Sequence, residues 1–460
     1  MTSTAVGDDG RERTGVGRRA MLRSGLAAGV GVGIGATVGP DAAHAGGEPS
    51  DATIHRRFNP GSWDSVRDQF RLSRKYLQFS AFVLASHPAG VRLAIEEHRR
   101  RLDVDPYAYG AFRNDMDRST AIRARLGTYL GVAPGELALT DSTTMGLGTV
   151  YSGLVLRPGD EVLTLDRGFY GTDEALRVRA LASGVKVRKI ALFDQPERAT
   201  AAGMVDRMLA EITPATRLLA VDWIQSSTGV MLPIRMMADA LAELNARRDS
   251  ADRVLLSVDG VQGVGVEDFS IADLGCDFFI SGLHKWLFGP RGTGFVWAST
   301  ENWDRVHPVV PSFSEAAILS WFFGRPWPGP PGDWNSPGGF HSFEHRWAVP
   351  AILDFHEAIG KARVAARTRE QAAQLKAGLA ELPGVTVKTP SDPTLSSALT
   401  CCSVDGYTSE QVVARLMEEF QIEATASEYT ESFVRLGPSI VTTPDQVDRL
   451  VRALHRISRS

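Results

Sequence analysis

The stretch from Ser257 to Gly294 holds residues whose types and spacing could do chemistry together. One apolar run ends in Asp259, with Gln262 three residues on. A second ends at Ser281 and is followed by His284, Lys285 and a glycine-rich return, Gly289-Pro290-Arg291-Gly292-Thr293-Gly294. If the two runs are strands of an open α/β sheet, Asp259 and Lys285 converge on the crevice beyond the carboxyl ends of the strands, where such sheets bind ligands. A lysine placed there can form a Schiff base when desolvation and neighbouring cations lower its pKa. A pyridoxal cofactor also needs a carboxylate against its ring nitrogen, so that the ring can take up charge developing at a substrate Cα. Asp259 and Lys285 supply that pair of groups.

The elements that must position them are legible as a rhythm. From Glu136 to about Trp297, short apolar runs (ELALT, EVLTL, KVRKIAL, RLLAVDWI, RVLLSVDG, DFFISG, TGFVWA) alternate with longer amphipathic ones. Strands apolar throughout and spaced by helices predict an α/β domain with a mainly parallel sheet covered on both faces. Residues 302–340, rich in aromatics, Pro and Gly, read as a long structured loop, a lid or interface segment. The remainder predicts a smaller α+β domain. Its last helix is marked by Thr443 as N-cap, Pro444 at N1 and Gln446 completing a capping box. Val447, Leu450, Val451, Leu454 and Ile457 then share one face. The division expected is a leader over 1–45, an N-terminal segment over 46–105 completing the small domain, a large cofactor domain over 106–340 and a small C-terminal domain over 341–460.

With these residues in place the sequence resembles the class V aminotransferases of fold type I, in their isopenicillin N epimerase-like branch. That family carries strand-Asp-x-x-Gln/His and, about 25 residues later, Ser-Gly-x-His-Lys before a glycine-rich return. The resemblance implies the fold type I architecture of pyridoxal phosphate enzymes, with a mixed but mainly parallel sheet in the large domain, and a homodimer. It implies that Asp259 pairs with the pyridine nitrogen, Gln262 contacts the ring oxygen O3′, Ser281 and His284 hold phosphate, and Lys285 is the Schiff-base lysine. It also implies a phosphate site at the turn Ser142, Thr143 and Thr144, where a strand runs into a helix whose exposed N–H groups favour an anion. Relatives stack a His or an aromatic on the ring; this chain has Arg167 where the His is common, with Phe169 and Tyr170 close behind, and the three stay open. Ser226 or Gln225 takes the place of a second O3′ contact. Arg435, before the final helix, takes the place of the clamp on the substrate α-carboxylate, which suits the guanidinium fork.

The reaction expected is at the Cα of an amino acid or peptide-type metabolite: epimerisation or racemisation, with transamination, oxidative decarboxylation or deamination, and elimination as alternatives. A desulfurase of this family would need a nucleophilic cysteine shortly before the Arg435 strand. Residues 424–431 contain none, and the chain has only Cys276, Cys401 and Cys402. A distant alternative rests on His341, Glu344 and His345, which match an inverted zinc-protease pattern provided that a helix puts them on one face.

The composition frames this reading. A chain of 460 residues with a formal net charge of −4 has no basic block to suggest a nucleic-acid partner. Its N-terminus is set apart: Arg11, Arg13, Arg18, Arg19 and Arg23 precede a charge-free run from Gly25 to Gly39, and Ala43-His44-Ala45 follows. That order is a signal-peptide layout. The Arg18-Arg19 pair points to the twin-arginine export machinery, with cleavage near Ala45 and a periplasmic or extracellular mature protein without a membrane span. The G-x-G-x-x-A match from Gly31 to Ala36 follows no strand and is set aside as a dinucleotide fingerprint.

Overall fold

The computed structural model describes residues 49–460, so the expectations for the leader, its arginine pair and the Gly31–Ala36 match lie outside the described residues. Among the described residues no helix is long and apolar enough to cross a membrane. The strands are β1 Leu77–Gln78, β2 Leu137–Thr140, β3 Glu161–Leu165, β4 Lys186–Ile190, β5 Thr216–Asp222, β6 Leu255–Asp259, β7 Phe278–Gly282, β8 Gly294–Ala298, β9 Val385–Val387, β10 Thr400–Val404, β11 Ile422–Glu423, β12 Thr425–Ala426 and β13 Val434–Leu436.

Seven of them form one sheet in the order β2-β8-β7-β6-β5-β3-β4. β8 runs antiparallel to both its neighbours and every other pairing is parallel. The apolar runs explain this sheet directly. Every residue of β5, β6 and β7 is buried, as a strand covered on both faces requires. Because side chains alternate, each strand feeds two cores. Leu218, Ala220, Leu255 and Ile280 pack on one face with Leu147 and Val150 of the helix Thr143–Gly153. Leu219, Val221, Leu256, Val258 and Phe279 pack on the other, against helices that include Ile234–Asn245. The carboxyl ends of the central parallel strands therefore open on one edge, with Asp222 and Asp259 as their last residues.

A second sheet, β12-β13-β10-β9, is antiparallel. The helices Lys361–Ala380, Ser409–Phe420 and Pro444–Ser458 bury their apolar stripes on it. The last of these has the expected capping box at Thr443 and Gln446, with Pro444 in its first turn. Val447, Leu450, Leu454 and Ile457 are buried as expected, while Val451 is half-buried. The N-terminal stretch divides: β1 pairs in parallel with β11, while Val66, Phe70, Ala85 and Val91 pack in the core of the large sheet.

Residues 302–340 correct the expectation of a long loop: they hold the helices Glu315–Phe323 and Pro331–Asn335. The first has Ser314 as its cap and a nearly all-apolar sequence, EAAILSWFF. A helix that is apolar all round shows no amphipathic period, and its aromatics mimic an irregular segment.

Candidate active site

Asp259 ends β6 and is 3% exposed. Its Oδ1 accepts the Val261 N–H at 3.0 Å, an Asx-type turn that fixes the carboxylate. The next residue must be glycine, because a Cβ on Gly260 would lie 1.9 Å from the Phe279 ring. β7 then delivers Ser281, whose Oγ donates to the Gly282 carbonyl at 2.9 Å. The turn that follows carries His284 and Lys285. It closes through Phe288 N–H to Lys285 O at 2.8 Å and Gly289 N–H to Leu283 O at 2.7 Å. Phe288 sits there at φ 61°, a left-handed conformation that costs a phenylalanine free energy and persists only where surrounding packing holds it. Its ring is buried 5.0 Å from Phe70.

Burial in this crevice pulls the Lys285 ammonium down to about 8, and Arg435 adds to the effect while Asp259 and Asp222 oppose it. Burial pushes the Asp259 carboxyl up to about 6, against the Val261 N–H and Lys285. Burial likewise keeps His284 neutral, its value lowered to about 4.

The other expected residues fall at the same edge. Ser142 caps the helix Thr143–Gly153, its Oγ accepting the Met145 N–H at 3.1 Å. The buried Thr143 Oγ1 has no hydrogen-bond partner, and a Cβ on Gly282 would lie 3.0 Å from it and 2.7 Å from the His284 ring. Thr144 is exposed in the same first turn. Of the three stacking candidates, Phe169 has its ring centroid 6.0 Å from Lys285 Nζ. Arg167 turns away to pair with Glu431 at 2.8 Å and lies over Phe193, and Tyr170 is 70% exposed. Gln225 is occupied by Thr228, whose hydroxyl donates to it at 2.9 Å, whereas Ser226 Oγ meets the Tyr429 hydroxyl. Gln262 accepts the Trp286 indole N–H at 2.9 Å. Arg435 projects from β13; its Nη1 donates to the Ser226 carbonyl at 3.4 Å and its Nε to Thr425 Oγ1 at 3.0 Å, and its guanidinium lies 5.3 Å from the Phe82 ring.

Three residues of this edge escape the sequence reading. Asp222, 5% exposed, ends β5 and accepts the Phe169 N–H at 3.1 Å. The signal that marks Asp259, an acid closing an apolar strand, marks Asp222 too. Tyr429 and Phe82 carry no such mark, since only the fold brings them here. The zinc reading meets a different geometry: the helix spans only Phe343–Trp347, so His341 precedes it. His341 Nε2 faces Asp115 at 3.4 Å and His345 bonds Ser342 at 2.7 Å. Among the described residues no three acidic, His or Cys side chains are grouped as metal ligands would be. Cys276, Cys401 and Cys402 are free and buried, and burial pushes the thiols of Cys401 and Cys402 up to about 12.

These features fit pyridoxal phosphate. A depressed lysine faces an aromatic ring, a fixed carboxylate lies at the neighbouring strand end, and a helix N-terminus offers an orphan buried hydroxyl beside a glycine that keeps the approach open. The comparisons agree. The model of the aminotransferase class-V family matches residues 112–450, and the chain belongs to that family. It is a pyridoxal phosphate-dependent enzyme with the fold type I architecture. It is 30% identical over 352 residues to an isopenicillin N epimerase of Amycolatopsis lactamdurans, covering 73% of this chain and 84% of that one. It is 23% identical over 359 residues to a cysteine desulfurase of Pectobacterium atrosepticum, covering 74% and 82%. Among solved structures it resembles a C-DES mutant with glycine covalently linked to the PLP cofactor, with a TM-score of 0.75 and 21% identity over 85% of this chain and 98% of that one.

As the Schiff-base lysine that the family resemblance implies, Lys285 would have to be neutral to attack the cofactor's carbonyl. Capture of pyridoxal phosphate by the cofactor-free protein, followed by stopped-flow absorbance, should therefore speed up with rising pH and level off above about 8. A rate independent of pH from 6 to 9, roughly the range that brackets that value, contradicts the assignment.

Proposed function

We propose that the enzyme removes and returns the proton at the Cα of an amino acid or a small amino-acid-derived peptide, an epimerisation or racemisation. The observation that carries this reading is the convergence of a depressed Lys285 and an Arg435 without a carboxylate partner among the described residues, at an edge where the nearby Cys401 is fully buried. Bound pyridoxal phosphate supplies an electron sink for the charge left at Cα. Asp259 would hold the proton on the ring nitrogen, and Gln262 and Ser226 would contact the ring oxygen O3′. Phe169 packs on the ring face. Ser142, Thr143, Thr144, Ser281 and His284 hold the phosphate, with the neutral imidazole of His284 acting as a hydrogen-bonding group. Lys285, as a neutral amine, takes the Cα proton from its own face, and inversion follows when a proton, from solvent or a protonated group, is delivered to the opposite face. Arg435 clamps the substrate carboxylate with its paired N–H donors; its present partners are carbonyl and hydroxyl oxygens, which a carboxylate outcompetes.

Two observations favour this over sulfur chemistry. The loop ahead of β13, where a desulfurase's nucleophile is expected, carries Tyr429, and each cysteine of the chain is buried. The epimerase relatives add support at 30% and 28% identity. In deuterium oxide the enzyme should exchange the α-hydrogen of its substrate and invert the centre without releasing keto acid, ammonia or sulfide, read by NMR and chiral chromatography over panels of amino acids and short peptides. Arg435→Ala should raise KM for exchange about 10- to 100-fold, the loss of one to two charge-assisted hydrogen bonds. Stoichiometric keto acid would identify a transaminase, and oxygen uptake an oxidative reaction.

We further propose that the protein is exported folded, with its cofactor already in place. Support comes from the Arg18-Arg19 pair, the charge-free run to Gly39 and Ala43-His44-Ala45. Replacing Arg18 and Arg19 by Lys should retain the full-length chain in the cytoplasm on cell fractionation, while the parent is found outside, shortened near Ala45. Equal distribution of the two removes the proposal.

A further inference from the structure

Asp222 has no part in the roles assigned above. It ends β5 as Asp259 ends β6, and the two are register partners across the parallel ladder. Neighbouring strands lie about 4.8 Å apart, and side chains opposite one another share a face. Alternation puts both on the face of Leu218, Ala220 and Leu255. Each has one fixed hydrogen bond from a backbone N–H, that of Phe169 to Asp222 and that of Val261 to Asp259. Among the described residues neither forms an ion pair. The groups that face Asp222 come from each element around it. Lys285 comes from the turn after β7, Asp173 from the helix Tyr170–Ser183, Tyr429 from the loop ahead of β13, and Tyr151 from the helix Thr143–Gly153. Asp173 is paired with Lys189 at 2.5 Å, and the Tyr151 hydroxyl bonds Ser257 Oγ at 3.2 Å. Lys285 is the one cation facing both carboxylates among the described residues, and Arg435 acts on Lys285 from beyond it.

Two carboxylates side by side in a dry site cannot both stay ionised, and such pairs hold one proton between them. We propose that Asp222 and Asp259 carry a single negative charge, with the proton resident on Asp222, so that only one anion faces Lys285. Asp259 takes the charge because it opposes the ring nitrogen, and the inference rests on that assignment. Asp222 takes the proton because it lies one strand further from the Lys285 turn. Burial and the charge of Asp259 both drive its carboxyl upward. Its Oδ2 accepts the Phe169 N–H, leaving the other oxygen to carry the hydrogen. A second anion here would hold the proton on Lys285 and weaken it as a nucleophile; Asp222 thus acts through its neighbours.

The test compares the holoenzyme with its Asp222→Asn and Asp259→Asn variants. It uses infrared absorption in the carboxylic-acid C=O region at neutral pH and a pH titration of the visible band of the lysine-bound cofactor. Asn for a protonated Asp exchanges one neutral group for another. Asp222→Asn should therefore fold, keep its cofactor, lose one carboxylic-acid band and leave the titration midpoint unmoved. If Asp222 is ionised, no band is lost and removing an anion beside Lys285 lowers the midpoint by about one pH unit or more, which overturns the proposal. Loss of folding or of cofactor in Asp222→Asn overturns it as well. Asp259→Asn reports separately on the underlying assignment: an unchanged visible spectrum and titration would show that Asp259 does not serve the ring, whatever the state of Asp222.

Discussion

On the proposed reading, a lysine amine that must be uncharged at its working pH, beside a carboxylate that must be charged, is the requirement on which the rest of this molecule depends. Water would not meet the first demand, since in water the lysine holds its proton to about 10.4. Burial at the carboxyl edge of β5, β6 and β7 meets the first by lowering Lys285 to about 8; it works against the second by raising Asp259 to about 6, and the Val261 N–H and Lys285 oppose that rise. A crevice that dry exists only where the strands beneath are apolar on both faces. The wholly buried runs of β5, β6 and β7 and the two cores they feed are thus part of the chemistry as much as of stability.

The same requirement explains the local backbone. A charged side chain at a strand end wanders unless tied, and the Val261 N–H ties Asp259. Gly260 gives way to the Phe279 ring. The left-handed Phe288 closes the turn that carries Lys285, whose Nζ lies 6.0 Å from the Phe169 ring centroid. The antiparallel sheet contributes from the opposite side, β13 bringing Arg435 to the Ser226 carbonyl. The loop that covers this approach is fastened by Tyr429 on Ser226 and by Glu431 on Arg167. Ion pairs with an exposed partner such as Glu431 contribute about 0–1 kcal/mol.

Much of this is legible in the amino-acid sequence alone. Buried parallel strands announce themselves as apolar runs, and their acidic or hydroxylic ends mark the sheet edge, so the spacing of Asp259, Ser281 and Lys285 places them together. Legibility ends where tertiary packing decides. Arg167, Phe169 and Tyr170 are close neighbours in sequence, and only the pull of Glu431 on Arg167 and the exposure of Tyr170 leave Phe169 beside Lys285. Tyr429 reaches Ser226 across 203 positions, and no local pattern encodes such a contact. The helix Glu315–Phe323 is hidden by a composition without period, and the histidines of residues 341–345 lack zinc geometry because the helix starts after the first of them.

The central claim is that Lys285 is the one residue that binds the cofactor covalently. Reducing the purified holoenzyme with borohydride and mapping its peptides by mass spectrometry tests this without a known substrate. The expected result is one stable pyridoxyl adduct per chain, on the peptide that contains Lys285, and none in a Lys285→Ala variant of unchanged fold. An adduct on any other lysine, or a full complement of adduct in that variant, would contradict it.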